Sequence, residues 1–261
     1  MKKSITRALG ALALPLIAAP VLAWDWSDCD GWHRRGGDGQ YCETRELTLD
    51  HLPGLLTVDA RRNGGISVTA WDRSEVRIEA RITVWDRSEV EARRIADAVR
   101  IDLDPTIRAE APGEDHWSVS YRIHAPRDTD LDLLAHNGGL TVRGIRGDLR
   151  LETQNGGISL DAVAGDVEAR TMNGGLDVEL AGLAWEGTRL DVETRNGGID
   201  LSIPDGYSAE LEVGTVNGRL EIDFPVTIQG RLDRQIRTTL GDGGEPIRVV
   251  TTNGGVTVRR R

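Results

Sequence analysis

The sequence predicts an all-β fold, a β-solenoid similar to a parallel β-helix, in which short strands stack as successive coils. Three observations predict it. The tripeptide Asn-Gly-Gly recurs along the chain, each copy precedes an alternation of apolar and polar residues, and the apolar positions recur with the full repeat. The six copies are Asn63-Gly64-Gly65, Asn137-Gly138-Gly139, Asn155-Gly156-Gly157, Asn173-Gly174-Gly175, Asn196-Gly197-Gly198 and Asn253-Gly254-Gly255. A degenerate seventh copy is Asn217-Gly218-Arg219.

The chain begins with the features of a secretory signal peptide. Three basic residues precede an apolar run over residues 8–18, and Val21-Leu22-Ala23 offers small or apolar residues at the cleavage positions. The apolar run is shorter than the roughly 20 residues that a membrane-spanning helix needs. We therefore expect residues 1–23 to be removed after export, leaving no membrane span in the mature chain.

The net charge argues against nucleic acid as a partner. The whole chain carries a formal charge of −10, and the loss of residues 1–23, which hold three basic residues and no acidic ones, makes it −13. Nucleic-acid phosphates are bound by Lys and Arg, so a binding protein is expected to be basic. An acidic surface of this kind favours solubility.

Residues 24–45 are predicted to form a leader that caps the solenoid. The leader is rich in Trp, Asp and Gly and contains both cysteines of the chain, Cys29 and Cys42. In an oxidising compartment two cysteines this close in sequence predict a disulfide. The spacing is not Cys-x-x-Cys and no His/Cys cluster accompanies it, which disfavours a redox or metal pair. Residues 46–261 are then predicted to form one β-repeat domain.

One short helix is predicted near residues 89–99. The hexapeptide Trp-Asp-Arg-Ser-Glu-Val occurs over 71–76 and again over 85–90, with different continuations. After the first copy apolar and polar residues alternate, which indicates a strand. After the second copy the apolar residues follow at helical spacing, and Ser88 with Glu91 matches a capping box.

From residue 130 onward each unit carries two short strands and two turns. Alternation places one apolar set on a common face, namely Leu149, Leu151, Ile158, Leu160, Val167, Ala169, Leu176 and Val178. An antiparallel meander or sandwich is the alternative, because Asn-Gly favours the type I′ turn of a hairpin. In either case we expect the Asn and Gly residues to serve the turns, since both tolerate positive φ, and stacked Asn side chains can hydrogen-bond along a ladder.

The chain resembles the DUF4097 family of exported bacterial proteins, often called "putative adhesins". The resemblance covers about residues 45–261. It is carried by the serial Asn-Gly-Gly units and by three segments: Ile66-Ser67-Val68-Thr69-Ala70-Trp71-Asp72, Val119-Ser120-Tyr121-Arg122-Ile123 before Pro126, and Thr251-Thr252-Asn253-Gly254-Gly255-Val256. The resemblance implies a β-solenoid-like, adhesin-like domain and an envelope or surface location. It brings no catalytic residues.

The sequence contains no His-Glu-x-x-His, Gly-x-Ser-x-Gly, P-loop or Gly-x-Gly-x-x-Gly motif. Its five histidines are scattered without a metal-like partner. Asp128, Asp130 and Asp132 alternate along a strand entry, and their carboxylates can bind Ca²⁺, although the glycine and glutamate of an EF-hand are missing. We therefore expect no catalytic residue, no cofactor and no metal site, with Ca²⁺ at the three aspartates left open.

These observations favour a non-enzymatic exported envelope protein, a β-repeat scaffold for adhesion or binding. The expected partner is an envelope glycan or protein, and the expected location is the periplasm or the cell surface of a bacterium. Two alternatives remain open. A carbohydrate-active enzyme can be built on a β-helix, but a fold alone does not give a function. The protein can also be a purely structural or stress-related component of the envelope.

Overall fold

The computed structural model describes residue 29 and residues 39–50, 54–113, 116–225 and 234–261. The predicted signal peptide and most of the leader lie outside these residues. The described part of the chain is built from twenty strands and one helix. In chain order these are β1 (Gln40–Leu49), β2 (Leu55–Asp59), β3 (Ile66–Trp71), β4 (Val76–Trp85), α1 (Glu89–Ala98), β5 (Arg100–Asp102), β6 (Thr106–Glu110), β7 (Trp117–Pro126), β8 (Asp130–Asn137), β9 (Leu140–Arg143), β10 (Arg146–Asn155), β11 (Ile158–Asp161), β12 (Ala164–Asn173), β13 (Leu176–Glu179), β14 (Gly187–Asn196), β15 (Ile199–Ile203), β16 (Ala209–Asn217), β17 (Leu220–Ile222), β18 (Gln235–Leu240), β19 (Pro246–Asn253) and β20 (Val256–Arg260).

The strands form two ten-stranded sheets that face each other across the core. Sheet A has the order β1-β4-β7-β3-β9-β11-β13-β15-β20-β17, and sheet B has the order β18-β16-β19-β14-β12-β10-β8-β2-β6-β5. In the centre the pairing is parallel and in step with the repeat, so that β10 and β12 align Leu149 with Val167 and Asn155 with Asn173. The predicted β-solenoid is confirmed, and the antiparallel meander is wrong, because each Asn-Gly-Gly joins a strand of sheet B to a strand of sheet A.

Copies of the repeat stack in sequence order except at the C-terminal end. The last coil, β19 with β20, lies between β14 with β15 and β16 with β17. Ile247 consequently pairs in register with Leu190 on one side and Leu211 on the other. Strand β18 lies antiparallel to β16 at the outer edge of sheet B. The expectation that successive copies are neighbours is therefore wrong for this end, because coils with the same phase fit equally well beside either neighbour.

The N-terminal end of sheet A is extended by antiparallel strands. Strand β4 pairs antiparallel with both β1 and β7. Helix α1 begins after Ser88, whose side chain accepts a hydrogen bond from the Glu91 N–H, as the capping box predicts. At its other end Arg45 donates to the Val99 and Ala96 carbonyls, at 2.5 and 2.9 Å. The Ala96 carbonyl also accepts the Val99 N–H at 3.0 Å, so Arg45 adds a second donor there and ties β1 to the end of the helix.

The core between the sheets is a continuous layer of aliphatic side chains. All eight residues that alternation places on one face are buried: Leu149, Leu151, Ile158, Leu160, Val167, Ala169, Leu176 and Val178. Side chains on either side of each buried residue point outward and are half-buried or exposed. Burial of apolar area at roughly 25 cal/mol per Å² is what holds the coils together. Function must then be sought on the outward faces and at the turns.

Candidate functional site

Asparagine side chains form a hydrogen-bonded ladder along one corner of the solenoid. Each Nδ2 donates to the Oδ1 of the adjacent coil in a single direction. The six bonds run from Asn137 to Asn63 (3.0 Å), Asn155 to Asn137 (2.8 Å), Asn173 to Asn155 (2.8 Å), Asn196 to Asn173 (2.8 Å), Asn253 to Asn196 (2.8 Å) and Asn217 to Asn253 (2.9 Å). The degenerate copy is therefore a full member of the ladder, placed at its end.

The first glycine of each copy is required by the close approach of the neighbouring coil. A Cβ on Gly156 would lie 2.1 Å from the Gly138 carbonyl oxygen, and one on Gly174 would lie 2.0 Å from that of Gly156. Among the described copies a left-handed φ occurs only at Gly64 and Gly254, and no Asn has one. The expectation that the turns need positive φ is thus wrong for most of the ladder, where the constraint is steric contact between coils.

A row of buried threonines supports the same corner. The Thr153 hydroxyl donates to the Gly138 carbonyl at 2.9 Å, and Thr171, two residues before Asn173, donates to Gly156 at 2.8 Å. Three further threonines do the same: Thr194, Thr251 and Thr215. This row was not predicted from the sequence, although Thr stands two residues before Asn in five of the seven copies and was the signal available.

The second glycine of each copy is not required in the same way. A Cβ on Gly139 would lie 3.3 Å from the Gly157 carbonyl oxygen, and one on Gly157 would lie 3.1 Å from that of Gly175, which small shifts can relieve. In the degenerate copy Arg219 occupies this position, so the turn accepts a side chain there. Packing therefore does not require glycine at the second position. The second glycines leave the surface of this corner without side chains.

Beside the second glycines runs a groove, here called the corner groove, with a volume of about 940 Å³. Its floor is the backbone of Gly139, Gly157, Gly175 and Gly198. Its outer wall is one row of aligned side chains, one from each coil of sheet A: Ser67, Thr141, Ser159, Asp177 and Asp200. Two asparagines of the ladder, Asn137 and Asn155, lie on the other wall. Each bonded Asn within the ladder still has one N–H and one oxygen lone pair to offer.

Charge changes along the groove. The wall carries hydroxyls at Ser67, Thr141 and Ser159 and then carboxylates at Asp177 and Asp200. Partial burial of the Asp177 carboxyl, with a smaller contribution from the Asp200 charge, raises the pKa of Asp177 above its ordinary value. Arg259 lies 3.6 Å from Asp200 and offsets part of that charge. Arg122 and Arg143 also line the end that carries the hydroxyls, where Arg122 lies 3.2 Å from Glu79 and Arg143 lies 3.9 Å from Asp161. That end of the groove therefore carries paired charges, and the other end is acidic.

The outward face of sheet B has a different character, because its charges are paired with one another. Its strands align Arg150, Glu168, Asp191, Arg248 and Glu212 across five coils. The contacts include Arg248 to Asp191 at 2.6 Å and an ion pair between Arg170 and Glu168. Side chains engaged in this way already have partners, so this face offers fewer groups to a ligand than the corner groove does.

Comparison with known proteins identifies the family. The family described as Toastrack DUF4097 matches residues 60–259. The chain belongs to the Toastrack DUF4097 family. No curated protein matches the sequence.

Several solved structures resemble this Toastrack chain. A "putative cell adhesion protein" from Clostridium sporogenes has 10% identity and a TM-score of 0.44, with 84% of this chain and 100% of that chain covered. A "putative adhesin" from Bacteroides fragilis has 11% identity and a TM-score of 0.38, covering 85% and 97%. A "putative lipid binding protein" from Parabacteroides distasonis has 10% identity and a TM-score of 0.27, covering 84% and 96%. At these identities the likenesses concern the fold and carry no function over.

The remaining residues singled out by sequence lie apart from the groove. Cys29 and Cys42 form a disulfide, with a Cα–Cα distance of 5.4 Å. Asp130 accepts a hydrogen bond from the Asp148 N–H at 2.8 Å, a contact between neighbouring coils. Within the part of the Toastrack chain that the structure describes, no group of three or more His, Cys, Asp or Glu residues is arranged to hold a metal ion. No helix among the described residues is long and apolar enough to cross a membrane.

Proposed function

We propose that the protein is an exported, non-enzymatic binding scaffold of the bacterial envelope, and that the corner groove holds a linear ligand with a repeating structure. The observation that carries the proposal is the recurrence of the same groups at each coil. A polar side chain returns five times along the groove and a second glycine four times, and two ladder amides, those of Asn137 and Asn155, also line it. A site that repeats in this way suits a ligand that repeats in the same way, whereas a single small substrate would use one coil.

The chemistry of the groove favours a glycan. Hydroxyls of Ser67, Thr141 and Ser159 both donate and accept hydrogen bonds, and so do the spare positions of the Asn amides. Sugar hydroxyls need partners of this kind. Adjacent strands lie about 4.8 Å apart, so the five wall residues span roughly 19 Å. An extended oligosaccharide of a few units fills that length.

The glycine floor supports the same proposal. Arg219 shows that a side chain fits at the second position of the turn, yet the six regular copies all carry glycine there. Four of these glycines, Gly139, Gly157, Gly175 and Gly198, line the groove, where a side chain would narrow it. Glycine at these positions leaves a flat surface open to a ligand. The exception is Arg219, which belongs to the copy at the end of the stack, after Asn217.

Location in the envelope is part of the proposal. The signal-like segment over residues 1–23 supports export, and the disulfide between Cys29 and Cys42 supports an oxidising compartment. Intact-mass analysis of the protein recovered from the periplasm or the medium tests the location. A chain that begins at Trp24 is expected, and a chain that keeps residues 1–23 in the membrane fraction would contradict it.

Binding is tested with a series of neutral linear oligosaccharides from two to eight units, titrated by calorimetry. Affinity is expected to rise with length and to level off once the groove is filled. The variant Ser159→Arg places a long side chain in the centre of the groove and should abolish the length dependence. Gln154→Arg is the matched control, since it adds the same charge to the same coil on the side of sheet B.

The outcomes separate the hypotheses. Loss of binding in Ser159→Arg with full binding in Gln154→Arg supports the groove. Equal loss in both variants, or an affinity that does not depend on length, would refute it. If no envelope glycan binds and none is retained from envelope extract, the purely structural or stress-related role is favoured instead.

A carbohydrate-active enzyme is the second candidate, and one observation favours it. Asp177 and Asp200 are register partners on adjacent strands, and the pKa of Asp177 is raised. A pair of carboxylates with one raised pKa is what glycoside hydrolysis uses. Prolonged incubation with the bound glycan should release no reducing ends if the protein only binds. Release of reducing ends that Asp177→Asn abolishes would establish the enzyme.

A further inference from the structure

Asp177 differs from the other carboxylates on its side of the solenoid, because it has no arginine partner. Five carboxylates lie on strands β11, β13, β15 and β17. Four of them pair with an arginine, namely Asp161 with Arg143 at 3.9 Å, Glu179 with Arg261, Asp200 with Arg259 at 3.6 Å, and Glu221 with Arg219 at 3.3 Å. In the part of the chain that the structure describes, Asp177 has neither a hydrogen bond nor an ion pair. This exception suggests a partner from outside the chain.

Water alone satisfies Asp177 poorly, because the side chain is half-buried in the wall of the corner groove. This burial, with a smaller contribution from the Asp200 charge, raises the pKa of Asp177. The surroundings therefore disfavour the ionised form of the carboxyl group. A positive charge held beside Asp177 would favour that form, and a ligand that carries one would gain a charge-assisted hydrogen bond.

The geometry of this end of the groove suits a small cation. Asp177 is the register partner of Asp200 on one side and of Ser159 on the other, and all three side chains line the groove. Adjacent strands lie about 4.8 Å apart, so the two carboxylates stand close enough for one group to bond to both. An ammonium group has three N–H donors and no acceptor, which matches two carboxylates beside a hydroxyl.

We propose that the acidic end of the corner groove binds the protonated amino group of an amino sugar, and that Asp177 determines this specificity. The proposal rests on the function proposed for the groove and names the class of glycan that the groove holds, a linear glycan with free amino groups. The hydroxyls of Ser67, Thr141 and Ser159 serve the neutral part of the same ligand. An acetylated amino group has no charge, so it would leave the Asp177 carboxylate without a cation.

The test uses the full mature chain and four probes of equal length: β-1,4-linked hexamers of glucosamine, N-acetylglucosamine and glucose, and a hexamer of lysine. Binding is measured by calorimetry at low salt and at about pH 6, where amines are protonated. Asp177→Asn removes the charge and keeps the shape of the side chain. Glu179→Gln is the matched control, because Glu179 follows on the same strand and the same face, carries the same charge, pairs with Arg261 and does not line the groove.

The glucosamine hexamer should bind the wild type at least about tenfold more tightly than the acetylated hexamer and the glucose hexamer do. Asp177→Asn should weaken binding of the glucosamine hexamer by about tenfold and leave binding of the glucose hexamer within about twofold. Glu179→Gln should leave both within about twofold of the wild type, because its charge lies outside the groove.

The outcomes distinguish this inference from the proposed function on which it rests. If the three sugar hexamers bind equally tightly and Ser159→Arg abolishes their binding, the groove holds a glycan but the preference for an amino sugar is refuted. If no sugar hexamer binds at millimolar concentration, both proposals fail. Equal losses in Asp177→Asn and Glu179→Gln would overturn the inference, because general attraction to an acidic surface would then explain the preference. Lysine hexamer binding as tightly as the glucosamine hexamer would also overturn it, because the groove would then recognise a cation without a sugar.

Discussion

Replacing Gly156 with Ala tests the central feature of the ladder. The new Cβ would lie 2.1 Å from the Gly138 carbonyl oxygen and 2.5 Å from its carbon, so the two coils must separate. Relief of the contact requires a shift of roughly 1 Å, since carbon and oxygen atoms pack at about 3.4 Å. Backbone atoms lie on both sides, so no side-chain rotation can absorb the change.

Three hydrogen bonds join the coils at this place and would be stretched. They are Asn155 Nδ2–H to Asn137 Oδ1 at 2.8 Å, Thr153 Oγ1–H to the Gly138 carbonyl at 2.9 Å, and the Gly138 N–H to the Asn155 carbonyl at 3.0 Å. At about 0.5–1.5 kcal/mol each, their loss costs about 1.5–4.5 kcal/mol. The smaller entropy of the unfolded Ala chain offsets about 0.4–1 kcal/mol. We expect a net loss of about 1–4 kcal/mol in the free energy of unfolding.

Gly157→Ala is the control, because the adjacent glycine differs only in its surroundings. Its Cβ would lie 3.1 Å from the Gly175 carbonyl oxygen, a contact that a shift of a few tenths of an ångström relieves. Urea unfolding followed by far-ultraviolet circular dichroism should show this variant within about 1 kcal/mol of the wild type. Equal stability of the two variants, or a Gly156→Ala protein as stable as the wild type, would refute the steric account.

Three further predictions concern other parts of the chain. Thiol labelling under denaturing, non-reducing conditions should find no free thiol, and two labelled thiols in protein from an oxidising compartment would contradict the pairing. Loss of the bond between Cys29 and Cys42, which are 13 positions apart in the sequence, should destabilise the protein by about 3 kcal/mol. Asn217 should deamidate faster than the ladder asparagines inside the stack, as measured by peptide mapping. In those copies the N–H of the glycine after Asn is hydrogen-bonded to the next coil, whereas no backbone acceptor for the Gly218 N–H lies in the described part of the chain. Uniform deamidation along the ladder would contradict this prediction. Because the pKa of Asp177 is raised in the folded state, ionisation of Asp177 lowers the stability of the protein as the pH rises through that pKa. The Asp177→Asn variant should therefore melt at a higher temperature than the wild type at pH 7, and the difference should shrink below the ordinary aspartate pKa. A difference in melting temperature that does not vary with pH would rule out the titration.

Local sequence was sufficient for the fold class and for the inward face. Alternation with a period of two fixes which side chains point to the core, and the buried positions of β10 to β13 follow it without exception. The two continuations of Trp-Asp-Arg-Ser-Glu-Val also behaved as local rules predict. One leads into β4, and the other forms α1, which ends at Ala98, one residue before the predicted boundary.

The candidate sites could be predicted less well. Asn-Gly-Gly was visible in the sequence, but the corner groove depends on which atoms of neighbouring coils face each other. A recess at the N-terminal end of the ladder brings together Asp59, Arg108, Trp117 and His136 from four strands, and the residues beside them in sequence do not indicate that they meet. Arg108 and Trp117 had no motif that distinguished them from other surface residues.

Sequence by itself determined that the chain is a stack of β-coils, that Asn returns in one phase, and that Cys29 and Cys42 are close enough to pair. Only the tertiary structure decided that β19 lies between β14 and β16, because coils of equal phase carry the same local signals and the choice of neighbour is made by packing. It also decided why the first glycine is needed. The atom that excludes a Cβ at Gly156 belongs to Gly138, a residue 18 positions earlier in the chain, and no property of the turn alone reveals that contact.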